Sequence, residues 1–272
     1  MPSAFRARLL LWWGSLHIGE VIRRRALRRV LRNNVALRVG ATPSRSPSVV
    51  EGEKTFRVLD AGCGRGDNAL WFARRYPHAA VVAVDIDPAL VEAVRRRAVG
   101  VGLRNVSVQQ ADIENSSLVT HPSSLPYGIV WSVDVFEHLR DPQAAVRSLA
   151  AALAPGGTLL IHVPRARQRR FFRRFEHYEQ HDHERDGFEP EELATFMRTA
   201  GLAVETIQHT FGPPGALAWE LFHLAQGVGK WLALLTYPIP WIFAWADSAF
   251  RWKRGNGMLI VARKFKTLNS KP

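Results

Sequence analysis

Short apolar runs alternate with amphipathic stretches through the middle of this chain. Residues 56–61 and 79–86 are rich in apolar side chains, which is typical of strands buried on both faces of a parallel sheet. Further strands are predicted at 106–112, 128–135, 158–164, 203–210 and 257–265, and helices at 68–76, 89–100, 143–157 and 189–202. Strands that alternate with helices predict an α/β fold with a doubly wound, mostly parallel sheet.

The N-terminal region follows a different pattern. Residues 1–40 combine apolar stretches with a strongly basic segment, and no small-residue cleavage site of a signal peptide follows the first apolar stretch. They are predicted to form basic amphipathic helices, which either bind a membrane or fold as a lid over the domain. Residues 41–53 are rich in proline and serine and read as a linker, so the α/β domain is predicted to span 54–266.

An apolar segment at 216–252 interrupts the pattern before the last strand. Residues 231–246 carry no charge, but sixteen residues fall short of the roughly 20 that a spanning helix needs, and Pro238 and Pro240 interrupt them. The segment is therefore predicted to be a bent apolar hairpin, inserted either as a membrane contact or as a lid over a substrate pocket.

Positive charge is concentrated in three places. The net charge is +13, with nine arginines and one acid in residues 1–38, six arginines in 165–174, and seven lysines or arginines in 251–271. Such blocks favour an anionic partner, either a membrane surface or a nucleic acid. The one cysteine, Cys63, excludes an intramolecular disulfide and fits a reducing cytoplasm.

The stretch VLDAGCGRGDN at 58–68 is a strand that breaks into a glycine-rich turn. The dinucleotide fingerprint GxGxxG needs a third glycine where this chain has Asp67, and a carboxylate there would repel a pyrophosphate at the helix N-terminus. The spacing from Asp60 through Gly62 and Gly64 to Gly66 is DxGxGxG instead. Glycines let the backbone approach an amino-acid moiety closely, so the turn favours S-adenosylmethionine (SAM) over a dinucleotide.

Two further acidic positions fit the same cofactor. Asp85 ends the second strand, where a carboxylate can accept hydrogen bonds from both ribose hydroxyls. Asp112 and Ile113 end the third strand, where an acid can bind the adenine amino group while an apolar neighbour packs on the ring.

These motifs resemble the class I SAM-dependent methyltransferases, particularly the small-molecule branch that includes the ubiquinone-type O-methyltransferases. The matching stretches are VLDAGCGRG, VVAVDIDPALVEA, QQADIEN, VWSVDVFEHLRDP and LAPGGTLLIHVP, in the family's order over residues 56–164. The resemblance implies a seven-stranded sheet with an antiparallel last strand. It implies cofactor contacts at Asp60, Gly62, Gly64, Asp85, Ile86, Asp112 and Ile113, to which the turn adds Gly66. One position departs from the family pattern, because Gly128 stands where an acid is usual.

The resemblance also places the acceptor site above the ends of strands four and five. Asp134, Glu137, His138 and His162 should then lie near it, and His138, Glu137 and His162 are the catalytic candidates. His138 is the leading candidate for the base, because a histidine beside a carboxylate titrates near neutral pH. The alternatives are that Glu137 and His138 brace the following helix, or that Asp134, Glu137 and His138 hold a divalent metal ion.

Residues 165–190 are predicted to be an insertion that roofs the acceptor pocket. His177, His181 and His183 do not share one helix face, so substrate contact or loop ordering is favoured over metal binding. The arginines of RARQRRFFRRF, with Phe171, Phe172 and Phe175 between them, suit anionic lipid headgroups or RNA. Lipid is favoured, because the N-terminal residues and the apolar insertion also indicate a membrane.

The sequence therefore predicts a SAM-dependent methyltransferase that modifies an apolar or lipid-linked small molecule, at a hydroxyl or carboxylate oxygen. It is expected to be cytoplasmic and peripherally associated with the inner face of the membrane. The alternatives are an RNA or protein methyltransferase that uses the basic surface, and a non-catalytic SAM-binding protein with a regulatory role.

Overall fold

The computed structural model describes residues 17–39, 56–115, 126–175 and 184–265, and it contains a seven-stranded sheet. The strand order is β3-β2-β1-β4-β5-β7-β6, in which β7 is antiparallel to both neighbours and the other pairs are parallel. The strands are β1 (Arg57–Ala61), β2 (Ala80–Asp85), β3 (Val106–Gln110), β4 (Tyr127–Val133), β5 (Leu153–Pro164), β6 (Leu202–Thr210) and β7 (Gly257–Lys264). The predicted fold class is confirmed.

Helices cover both faces of this sheet. They are α1 (Ile18–Val39), α2 (Asp67–Arg75), α3 (Pro88–Gly100), α4 (Pro142–Ala152), α5 (Pro190–Thr199), α6 (Pro213–Val228), α7 (Lys230–Thr236) and α8 (Pro238–Asp247). Apolar side chains of α1, α2 and α3 pack on one face, and those of α4 and α5 pack on the other. Two of the helices start at a proline behind an aspartate cap, since Asp87 and Asp141 accept backbone N–H bonds at the first turns of α3 and α4.

Helix α1 is an integral part of the domain. Leu27, Val30 and Leu31 are buried against β1, β4 and α2, while Ile18 and Ile22 join a separate cluster with α6 and α8. Its N-terminal turn therefore packs against the apolar insertion, and the choice between a membrane contact and a lid stays a prediction. Residues 1–16 and the predicted linker 41–53 lie outside the described residues.

The apolar insertion is built from three helices, α6, α7 and α8, where the sequence suggested a bent hairpin. α6 and α8 pack against each other and against α1, through a cluster that includes Trp219, Phe222 and Ala244. None of the helices in the described part of the chain is both long and apolar enough to cross a bilayer.

The departure from the family pattern at Gly128 has a packing reason. A Cβ at this position would lie 2.5 Å from the ring of Phe56, which occupies the space beside β4. An acidic side chain cannot fit there without displacing that ring.

Candidate active site

A cavity of about 1000 Å³ lies at the carboxyl ends of β1, β2, β3 and β4. Ligand sites of open α/β sheets form at this edge, because the loops that follow parallel strands converge there. Seven of the eight predicted cofactor residues line it: Asp60, Gly62, Gly64, Asp85, Ile86, Asp112 and Ile113. The sequence motifs therefore converge on one site, which we call the cofactor cavity.

Gly64 and Gly66 of the turn have different surroundings. Gly64 has φ +51°, and no atom lies within 4 Å of the position its Cβ would take, so the backbone there is open to the cavity. A Cβ on Gly66 would instead lie 2.5 Å from Val94 on α3. Gly66 is the predicted cofactor residue that does not line the cavity, and its environment indicates a packing role between α2 and α3.

Asp85 is fixed by two backbone donors. Its Oδ2 accepts the Gly64 N–H at 2.7 Å, and its Oδ1 accepts the Asp87 N–H at 3.1 Å. Each carboxylate oxygen retains acceptor capacity for a further hydrogen bond. This geometry suits a pair of ribose hydroxyls, as predicted.

Among the acids that line the cofactor cavity, Asp60 has the most strongly shifted pKa. It is buried at the end of β1, and its Oδ2 makes no hydrogen bond within the described residues. Burial, together with the nearby charge of Asp85, raises the pKa of Asp60 to about 7. A buried carboxyl group with one oxygen that accepts no hydrogen bond fits the ammonium of an amino-acid moiety, which would stabilise the charged form of the carboxyl.

The opposite end of the cavity suits an adenine ring. The side chain of Ile86 is 65% exposed although it is apolar, and the Gln110 amide holds its backbone carbonyl at 3.0 Å. Asp112 accepts the Glu114 N–H at 2.9 Å, and Ile113 lies buried in the cavity wall. Ile86 therefore offers an exposed apolar surface for the ring, whereas Ile113, the neighbour of Asp112 that was predicted to pack on it, is mostly buried, and the adenine contacts stay a prediction.

Helix α1 and the residue before it supply cavity residues that the motifs did not indicate: His17, Glu20, Arg23 and Arg24. They lie about forty residues before the glycine turn in the sequence, so their distance from the motif could not predict that they line the cavity. The only signal available was the lid interpretation of the N-terminal segment. Burial is the main reason that the pKa of His17 is lowered to about 4, so its imidazole is neutral at physiological pH.

A second cavity of about 320 Å³ shares four lining residues with the first: His17, Arg23, Asp134 and His138. Its other walls come from the end of β5, the loop after β5, α6 and the start of β7. They include Glu137, His162, Arg170, Phe211, Trp219 and His223. All three predicted catalytic residues therefore line this one cavity.

A chain of polar contacts crosses the boundary between the two cavities. Asp134 binds the Arg23 guanidinium at 2.8 Å and the His162 Nδ1 at 2.7 Å, and His162 Nε2 lies 2.9 Å from the Thr210 hydroxyl. Asp134 adopts φ +52°, a conformation that is uncommon for a residue other than glycine. Since both nitrogens of the buried His162 are engaged, this geometry favours a positioning role for His162 over the proton transfer expected from sequence.

Glu137 and His138 differ in their exposure. Glu137 is buried, and burial together with the neighbouring Asp134 raises the pKa of its carboxyl well above the usual range. His138 is exposed and lies on the boundary that both cavities share. Because Glu137 is buried whereas His138 is exposed at the boundary of both cavities, His138 is the better placed base.

The metal alternative finds no support in the described part of the chain. No three His, Cys, Asp or Glu side chains there are arranged to hold a metal ion, and Asp134 is already bound to Arg23 and His162. His177, His181 and His183 lie outside the described residues. The sequence interpretation of that histidine-rich stretch stays a prediction.

Comparison with known proteins decides the family. A family model described as a methyltransferase domain matches residues 7–207 of this chain. The chain belongs to the methyltransferase-domain family. This confirms the resemblance seen in the sequence and, with it, the prediction of SAM as the cofactor of a methyltransferase fold. The cofactor cavity fits that molecule, because it offers a buried carboxyl group for the ammonium, Asp85 for the ribose and Ile86 for the adenine.

Two curated relatives give the level of similarity. A trans-aconitate 2-methyltransferase of Methylobacterium nodulans is 34% identical over 40% of this chain and 38% of its own length. A ubiquinone biosynthesis O-methyltransferase of Xanthomonas euvesicatoria is 31% identical over 56% of this chain and 64% of its own length. The chain thus spans less than two thirds of the length of the curated relatives it matches.

A solved structure supports the fold. The phosphoethanolamine N-methyltransferase 2 of Haemonchus contortus, in complex with SAM, superposes with a TM-score of 0.57 at 18% identity. The match covers 86% of this chain and 53% of that one. At this identity the likeness concerns the architecture of the methyltransferase fold.

Proposed function

We propose that this protein transfers a methyl group from SAM to an oxygen atom of an apolar or lipid-linked small molecule at a membrane surface. The observation that carries the proposal is the second cavity, which adjoins the cofactor cavity and shares His17, Arg23, Asp134 and His138 with it. Methyl transfer needs the acceptor atom in line with the sulfonium methyl, so two adjoining cavities are the required arrangement. The second cavity is accordingly the acceptor cavity.

Bound SAM supplies an electrophilic methyl group, and the chain has to supply alignment and proton removal. His138, at the shared boundary, is the residue that takes the proton of an acceptor hydroxyl. Burial and the neighbouring Asp134 raise the pKa of Glu137, which favours the neutral carboxyl group that can donate a hydrogen bond to the acceptor. Arg23, Asp134 and His162 fix the boundary between the cavities and thereby position the acceptor.

The name of one relative supports oxygen as the acceptor atom. The Xanthomonas relative is named for O-methylation in ubiquinone biosynthesis, and the Methylobacterium relative is named for methylation of trans-aconitate. Aromatic side chains of the acceptor cavity, Phe211 and Trp219, suit an unsaturated ring or chain beside the reacting group.

The experiment that tests the proposal uses purified protein, SAM labelled in its methyl group, and a total extract of the source cells. The extract is separated into organic, aqueous and macromolecular fractions after the reaction. Label in the organic fraction, absent when Asp85→Ala replaces the wild type, is the expected result. Label confined to macromolecules would overturn the small-molecule proposal in favour of RNA or protein methylation.

The remaining outcomes are also informative. Label confined to the aqueous fraction would retain methyl transfer to a small molecule and exclude an apolar acceptor. SAM binding without label in any fraction would favour the non-catalytic alternative. Trans-aconitate, added alone, serves as a soluble carboxylate acceptor for comparison.

A further inference from the structure

Helix α8 exposes apolar side chains and buries its charged one, which is the reverse of an ordinary surface helix. Its one charged residue, Asp247, is buried and accepts the Gly215 N–H at 3.2 Å, while Ala244 packs inward in the cluster of α1 and α6. The exposed side chains at helical spacing are all large and apolar: Ile239, Trp241, Ile242 and Trp245. The side chains at these four positions therefore present only large apolar groups to the solvent.

The exposed apolar surface continues along the insertion. Trp231 is 84% exposed and Leu235 is 79% exposed on α7, and Val228 is 76% exposed at the end of α6. Together with the four side chains of α8 they form what we call the apolar face. Exposed large apolar side chains grouped on neighbouring helices mark an interaction site, whereas single exposed apolar residues are normal.

The apolar face does not cover either part of the candidate active site. The residues of the insertion that line the acceptor cavity are Ala216, Trp219 and His223, all on α6. Of the described side chains of α7 and α8, none lines the cofactor cavity or the acceptor cavity. The sequence left open whether the insertion is a membrane contact or a lid over a pocket. For α7 and α8 this arrangement favours the membrane contact.

Positive charge borders the apolar face. The Arg25 guanidinium lies 5.6 Å from the centre of the Trp245 ring and donates to the Ser248 hydroxyl at 2.6 Å. Arg29 is exposed one turn further along α1, and Arg251 is exposed just after α8. The pKa of Arg25 is lowered, chiefly by burial and then by the charges of Arg29 and Arg32. An anionic partner would relieve this crowding of like charges.

We propose that the apolar face and its basic border form a surface that binds a membrane leaflet containing anionic lipids. Tryptophan side chains favour the interface between headgroups and acyl chains, and arginines beside them attract anionic headgroups. The link to catalysis rests on the proposed function, because α6 carries acceptor-cavity residues on the inside and packs against α8. Binding of the leaflet itself rests on the surface alone.

The test measures flotation of the full chain with vesicles, in the absence of SAM and of any acceptor. The wild type should bind mixed phosphatidylcholine–phosphatidylglycerol vesicles more tightly than pure phosphatidylcholine vesicles. The double variant Trp231→Ser with Trp245→Ser should bind at least about tenfold more weakly to both, because each exposed indole contributes apolar burial. Arg29→Gln should lose about fivefold, and only on the vesicles that contain phosphatidylglycerol.

Val99→Ser is the matched control, because Val99 is also strongly exposed but lies on α3, away from the insertion. It should bind like the wild type. Equal binding by the wild type and the double variant would overturn the proposal. So would a lipid-free dimer of the wild type that the double variant cannot form, since the apolar face would then bind a second copy of the chain. Neither result bears on methyl transfer, which the labelling experiment measures separately.

Discussion

The cofactor cavity and the acceptor cavity share four residues, yet they are built in different ways. The cofactor cavity is lined mainly by the loops after β1, β2, β3 and β4, which follow one another along the chain. The acceptor cavity draws its walls from α1, the loop after β5, α6 and the start of β7, which are far apart in sequence. One cavity is thus a product of local turns, and the other is a product of tertiary packing.

This difference separates the two tasks of the proposed reaction. In that proposal, backbone groups and short acids hold the cofactor, so its binding depends on the geometry of the turns after the strands. The acceptor cavity is formed by side chains of long elements, which can vary without changing the sheet. Variants in one cavity should therefore change SAM affinity, and variants in the other should change turnover.

The largest expected effect is on turnover, from His138→Gln. Loss of the base at the shared boundary should lower the initial rate of label transfer by roughly a hundredfold to a thousandfold at saturating SAM. The affinity for SAM should stay close to that of the wild type. Rates in the labelling assay and SAM affinity by calorimetry provide the two measurements.

The control for that prediction is His78→Gln, since His78 is exposed in the turn before β2 and lines neither cavity. It should keep the full rate. A His138→Gln variant that also keeps the full rate would remove His138 from the mechanism. The helix-bracing interpretation of Glu137 and His138 would then be preferred.

Asp85→Ala should have the next largest effect, and on the other cavity. Two charge-assisted hydrogen bonds to the ribose are worth about 1.5–3 kcal/mol each, so SAM affinity should fall by a hundredfold or more. Calorimetric titration measures this loss, and a melting curve without SAM shows whether the domain still folds. Glu92→Ala, on the exposed side of α3, is the matched control and should bind SAM normally. Unchanged affinity in Asp85→Ala would contradict the cofactor assignment.

The same contrast explains what could be predicted from sequence. Asp60, Asp85 and Asp112 each stand at or near the end of a predicted strand, so their convergence follows from the parallel sheet. Gly66 could not be distinguished from Gly64, because only the fold brings Val94 against it. Arg23 could not be placed at all, since its position depends on how α1 packs over the sheet. The engagement of both His162 nitrogens likewise requires β6 and β7 to bring Thr210 beside β5.

The smallest of the three effects is a pH dependence that belongs to the cofactor cavity alone. The pKa of Asp60 is raised to about 7, so without ligand its carboxyl is largely protonated below that pH. Its contribution to folding stability is present at low pH and is lost as the pH rises through 7. The SAM ammonium favours the ionised form, so binding below pH 7 must displace the proton. SAM affinity should then rise with pH, by at most about tenfold per unit, and level off near 7.

Calorimetry in buffers of different ionisation enthalpy measures both the affinity and the proton released on binding. Asp60→Asn should bind SAM more weakly and without this slope between about pH 5 and 7, because its amide does not titrate. His17 is neutral across that range, since its pKa is lowered to about 4, and it adds no slope of its own. A slope that persists in Asp60→Asn would assign the titration to another group. It would also contradict the proposed contact between Asp60 and the SAM ammonium. A slope lost in Asp60→Asn but kept in His138→Gln would assign the pH dependence of SAM affinity to Asp60, although the two cavities share a wall.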